Sequence, residues 1–84
     1  MRDATWIYAV MKSFYETTGD EAYAEYVVQE ESEKYMRIWI PPVERGSIND
    51  LRLILSSNAP ARFRFWLGHS DSKYGGWEAE FWRD

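Results

Sequence analysis

Two runs near the end of the chain, ARFRFWLG at 61 to 68 and WEAEFWR at 77 to 83, alternate side-chain character with period two across the stretch GHSDSKYGG. Period two puts successive side chains on opposite faces of an extended chain, and glycine-rich turns at both inner ends predict a β-hairpin. A third run, YMRIWI at 35 to 40, alternates in the same way and is halted by Pro41-Pro42, which cannot continue a strand interior. Any fold for this chain must therefore build a sheet.

The remaining segments supply its partners. From Asp3 to about Thr18, Trp6, Val10 and Phe14 recur at i, i+4 and i+8, with Ile7 and Met11 one position on. This apolar stripe predicts a helix, with Asp3 or Thr5 as its cap and Gly19 in the left-handed position after its end. Ser47 to Asp50 reads as a variant capping box. Ile48, Leu51, Ile54 and Leu55 follow at helical spacing, so a second helix is expected to end by Ser57, at the stop signal SNAP.

Residues 20 to 34 fit two patterns. As a helix, Asp20 caps and Tyr23, Tyr26 and Val27 make the stripe; as a strand, AEYVVQ pairs with KYMRIWI across a connection EESE. The β-rich run that follows favours the hairpin. The expected order is α-β-β-α-β-β: an α+β two-layer sandwich with a four-stranded antiparallel sheet and both helices on one face. At 84 residues this is a single domain, of a size that buries only about 60% of its unfolded surface.

Alternation then sorts the sheet residues. Met36, Ile38, Ile40, Phe63, Phe65, Leu67, Trp77, Ala79 and Phe81 should face the helices. The opposite face should hold Tyr35, Arg37, Trp39, Arg62, Arg64, Trp66, Glu78, Glu80 and Trp82. Arg62 and Arg64 can pair there with Glu80 and Glu78 across the last hairpin. Aromatics and arginines on a sheet can also stack unpaired bases. The two glutamates on the same face, and the lack of an RNA-recognition signature, argue against direct nucleic-acid binding. Three tryptophans on one open face are equally the mark of a dimerising structural subunit.

Catalytic equipment is sparse. There is no cysteine and one histidine, which removes disulfides, thiolate metal sites and histidine-rich centres. His69-Ser70-Asp71 sits in a turn, where Ser and Asp serve the backbone, and adjacent residues do not converge as a triad. Glu30, Glu31 and Glu33 lack calcium-loop spacing. No enzyme activity, metal or cofactor is expected. MRDATWIYAVMKSFY lacks the apolar core of a signal peptide and no run is long enough to span a membrane, so a cytoplasmic protein without membrane contact is expected.

The strongest functional signal is a block of charge. ETTGDEAYAEYVVQEESE, residues 16 to 33, holds seven carboxylates and no basic residue, whereas the rest of the chain carries ten bases against seven acids. Such a run can be a solvated face or a guard on a sheet edge. Here the carboxylates are interleaved with aromatic area, as at surfaces that receive a basic partner. Glu21, Glu25, Glu30, Glu31 and Glu33 are the expected contact charges, with Tyr23 and Tyr26 as anchors. In size, acidity and absence of motifs the chain looks like the broad type that includes immunity proteins, antitoxins and the small inhibitors phages direct against CRISPR complexes. That likeness is one of composition and transfers no residue's role. It implies an inhibitor or adaptor that binds a basic protein or nucleoprotein complex.

Overall fold

In a computed structural model the fold is described for residues 3–43, 45–58, 62–68 and 75–83. The elements follow the expected order: α1 (Asp3–Thr18), a 3-10 turn (Glu21–Glu25), β1 (Val27–Glu31), β2 (Tyr35–Ile40), α2 (Arg45–Asn58), β3 (Arg62–Leu67) and β4 (Trp77–Trp82). The four strands form one antiparallel sheet in the order β1-β2-β4-β3. The two hairpins therefore meet through β2 and β4, leaving β1 and β3 at the edges. Among the described residues no helix is long and apolar enough to cross a membrane.

Both helices pack on one sheet face. Ile7, Met11 and Phe14 of α1 and Ile48, Leu51 and Leu55 of α2 join Met36, Ile38, Ile40, Ala79 and Phe81 in a single buried cluster. The centre of the α1 stripe is thus Ile7, Met11 and Phe14, with Trp6 and Val10 partly buried on its flank. Trp6 meets Phe81 edge to face at 5.7 Å, and Phe81 meets Phe63 at 5.5 Å. Phe65 stacks on Trp77 at 5.3 Å. Leu67 departs from the expected set. It lies on the helix side but is 64% exposed, because it ends an edge strand that no described element covers there.

The end of α1 follows its sequence. The Gly19 amide bonds to the Tyr15 carbonyl at 2.9 Å, and Gly19 takes φ of 72°. A Cβ there would meet nothing within 4 Å, so only the left-handed backbone is costly. Gly19→Ala should lower stability by about 1 kcal/mol, as measured by urea unfolding. Thr5 lies within α1 and is not its cap.

Two boundaries move. The segment from 20 to 34 is neither one helix nor a strand from Ala24. Asp20 caps the 3-10 turn by accepting from the Ala22 amide at 3.0 Å, and the strand begins only at Val27. The turn is needed to roll Tyr23 inward; an extended Ala24 to Tyr26 would carry it along an edge. Consequently Glu30 and Glu31 belong to the strand, and the connection is Ser32 to Lys34, closed by the Ser32 amide on the Tyr35 carbonyl at 2.8 Å. Similarly α2 begins at Arg45, so Ser47 lies inside its first turn instead of capping it. The Ser47 hydroxyl is spent on Tyr23, with 2.6 Å between their oxygens.

Candidate protein-docking surface

The acidic block becomes an ordered band of surface from α1 to the β1 edge. Glu16 follows Lys12 on α1 at 4.0 Å, Glu21 and Glu25 are exposed on the 3-10 turn, and Glu33 is exposed in the tight connection. Along β1 all five residues are exposed, including Val27 at 48% and Val28 at 44%. The strand is edge on one side and uncovered on both faces. Its polar and apolar side chains therefore stand side by side in solvent.

A β-bulge sets which way they point. The pairing runs Val27 with Trp39 and Val28 with Ile38, then skips Gln29 and resumes with Glu30 opposite Arg37 and Glu31 opposite Met36. Without the extra residue Val28 and Glu30 would share a face. With it, Val27 and Glu30 lie on the open face, and Val28 and Glu31 on the helix side. Gln29 accepts from Arg37 Nε at 3.2 Å, and Glu30 reaches the Arg37 guanidinium at 3.6 Å. Both partners of that ion pair are well exposed, so it adds little to stability, and Glu30 remains accessible.

The two expected anchors separate. Tyr23 is completely buried, its ring 5.3 Å from that of Phe14, so it is a core residue and not an exposed anchor. Burial pushes its phenol up from its ordinary value, partly offset by the bond to Ser47. Tyr26 is half-buried against the core and stays at the surface. It lines a groove with Tyr8, Met11, Tyr15, Ala24 and the inner Tyr23, flanked by Lys12 and Glu16. Desolvation, and to a lesser degree Tyr8, raise the Tyr26 phenol. Tyr8 and Tyr15, at 59% and 38% exposure, are site residues the sequence reading missed. Their seven-residue spacing, which puts both on one side of α1 away from its buried stripe, was the available signal.

On the opposite sheet face the side chains satisfy one another. Three rows cross β2, β4 and β3: Tyr35, Trp82 and Arg62; Arg37, Glu80 and Arg64; Trp39, Glu78 and Trp66. Arg62 and Arg64 are thus opposite Trp82 and Glu80, one pair along from the expected partners Glu80 and Glu78. The shift has a physical reason. Pairing Leu67 with Trp77 uses all six residues of both strands and leaves Gly68 and Gly76 to close the ladder, amide to carbonyl, at 2.9 Å. The expected pairing would have placed glycines in the ladder and left Phe81 and Trp82 outside it.

Glu80 is the centre of this face. It is only 9% exposed although no helix covers it. Its carboxylate accepts a hydrogen bond from the Tyr35 hydroxyl, lies 3.5 Å from the Arg64 guanidinium, and has Arg37 as its neighbour on β2. The Arg62 and Arg64 guanidinium groups lie 5.0 and 5.1 Å from the ring centroids of Trp82 and Trp66, and Tyr35 packs on Trp82 at 5.5 Å. Trp39 donates its indole N–H to the Gly75 carbonyl at 2.9 Å. With Glu30 included, the face holds three arginines and three glutamates, of which Arg37 pairs with Glu30 and Arg64 with Glu80. The face carries no excess of positive charge for phosphates.

One titration reports on this cluster. Burial, the hydrogen bond to Glu80 and the Glu80 charge push the Tyr35 phenol up to about 12. Its proton is held more tightly folded than unfolded, so this contribution to stability is complete below an unfolded phenol value of about 10 and is lost as pH rises toward 12. In ultraviolet titrations, the phenol missing from Tyr35→Phe should be one that ionises near pH 12 in the parent protein.

Among the described residues no group of acids and imidazoles is placed to hold a metal ion. His69-Ser70-Asp71 lies outside the described residues. Searches against protein-family models, curated proteins and solved structures gave no match, so the function of this surface rests on its own geometry and charge.

Proposed function

We propose that the protein is a small acidic inhibitor or adaptor. In this role it binds stoichiometrically to a basic, nucleic-acid-handling protein and blocks the surface that would otherwise hold phosphates. The carrying observation is the β1 edge: five consecutive exposed residues, in which exposed Val27 and Val28 are followed by Glu30 and Glu31, one valine and one glutamate to each face, with Glu21, Glu25 and Glu33 on the adjoining turns. Lys and Arg of a partner would pair with the carboxylates, and the valines and Tyr26 would supply apolar area. Opposite charge would accelerate the encounter. The charge balance of the open sheet face favours this reading over direct base stacking. No catalytic step is required, and the proposed action is competition for a site.

The experiment is capture from a lysate of the source cell, with and without nuclease, using the parent protein and the Glu30→Lys/Glu31→Lys/Glu33→Lys variant as baits. The expected result is a basic protein retained after nuclease by the parent and lost by the variant. Loss of all captured material after nuclease would overturn the proposal. A change in tryptophan fluorescence on adding single-stranded oligonucleotide at low salt would assign the open face to nucleic acid instead.

A further inference from the structure

Building on the docking reading above, on which it rests, we propose that the tyrosine-lined groove between α1 and the 3-10 turn receives one arginine side chain of the basic partner, its guanidinium lying over the tyrosine rings. Tyr8, Met11, Lys12, Tyr15 and Glu16 share one side of α1 and form one wall. Ala24 and Tyr26 form the other, and the buried Met11 and Tyr23 make the floor. The groove's volume of 310 Å³ is at the lower limit of ligand pockets, which suits one side chain and not a helix. Tyr26 directly precedes Val27, so the groove is continuous with the β1 edge.

The rings of this groove are unengaged, unlike those of the open sheet face. There, Arg62 covers Trp82, Arg64 covers Trp66, and Trp39 donates to Gly75. Among the described residues, no side-chain hydrogen bond, ring contact or overlying cation engages Tyr8, Tyr15 or Tyr26. Tyrosines left open in this way are the residue type that anchors interfaces.

Charge selects the occupant. Aromatic faces attract cations, and Lys12 is the only base among residues 3 to 33, against eight acids. Glu16 stands on the groove wall, and the exposed Glu25 lies between Ala24 and Tyr26 in the chain. An anionic side chain would meet these carboxylates, and an apolar one would leave them without a partner. Lys12 does not fill the groove; it reaches along α1 to Glu16 at 4.0 Å, with both side chains well exposed. Such a pair is weak and readily exchanged. Arginine fits better than lysine, because a planar, weakly hydrated guanidinium stacks on a tyrosine while still donating to a carboxylate.

The test needs no partner protein. The whole protein is titrated with a blocked Gly-Arg-Gly peptide, and with its lysine and leucine counterparts, by NMR of the Met11 methyl and the tyrosine rings. The arginine peptide should give saturable shifts at millimolar concentration, the lysine peptide weaker ones, and the leucine peptide none. Tyr8→Ala, at an exposed position, should weaken the arginine peptide about two- to fivefold with the parent circular dichroism retained, and Tyr8→Phe should bind as the parent does. Lys12→Ala should tighten binding, because it frees Glu16. No saturable shift in the parent would overturn the proposal. So would an equal response to lysine or leucine, indifference to Tyr8→Ala, or weaker binding by Lys12→Ala. The docking reading fails separately: peptide binding without capture of any basic protein sinks docking through β1 and leaves the groove an arginine site. Capture that the Glu30→Lys/Glu31→Lys/Glu33→Lys variant abolishes, with no peptide binding, sinks the groove alone.

Discussion

Tyr23→Ala is expected to lower the free energy of unfolding by about 3–5 kcal/mol, a large share of the roughly 5–15 kcal/mol that holds a domain folded. The side chain is fully buried between α1, the 3-10 turn and α2, touching Phe14 and bonding to Ser47. Truncation leaves a ring-sized void and removes the hydrogen bond to Ser47. Tyr23→Phe keeps the ring and should cost only about 1 kcal/mol. The contrast separates the two roles this residue could have had. An exposed anchor would change stability by less than about 0.5 kcal/mol on truncation and act on binding alone. Urea unfolding of both variants decides: a loss below 1 kcal/mol for Tyr23→Ala would place the ring outside the core.

Gly76→Ala should be about as damaging, at roughly 2–5 kcal/mol when backbone strain and overpacking are combined. Gly76 holds φ of 94°, and an added Cβ would collide with the Ile40 carbonyl and lie 2.7 Å from the Trp39 indole nitrogen. The same corner carries the Trp39 bond to Gly75 and the Gly68 bond that closes the β3–β4 ladder. Displacing Gly76 therefore disturbs the junction of the two hairpins as well as one turn. Gly19→Ala is the matched comparison, since its surroundings are open. Similar losses for the two variants would show that crowding at Trp39 is not felt.

The architecture was legible because three strands declare themselves by period two and both helices by apolar spacing. The sheet order was not. Nothing local in YMRIWI or WEAEFW says that they are neighbours; that follows from packing both hairpins under two helices. Residues 20 to 34 misled at their boundaries because a capped 3-10 turn and a strand share one apolar run, and the side of Tyr23 is set by tertiary contact with Ser47. The Gln29 bulge left no mark in the sequence. It reverses the direction of Glu30 relative to simple alternation and brings it beside Arg37. The acidic charges were legible as a block, but their arrangement along an edge strand was not, nor was the burial of Glu80 beneath Tyr35 and Arg64.

The two edges of the sheet differ in chemistry. β3 alternates exposed arginines with half-buried phenylalanines, and β1 is acidic and exposed.

The most direct test of docking through β1 is the affinity of the captured basic protein for the parent and for Glu30→Lys/Glu31→Lys/Glu33→Lys, measured by calorimetry at two salt concentrations. All three positions are exposed, so the fold should survive, as circular dichroism will show. The account predicts parent binding that weakens as salt rises, a loss of at least about tenfold in the variant, equivalent to 1.4 kcal/mol, and a reduced salt dependence. Equal affinity with an unchanged salt dependence would contradict it.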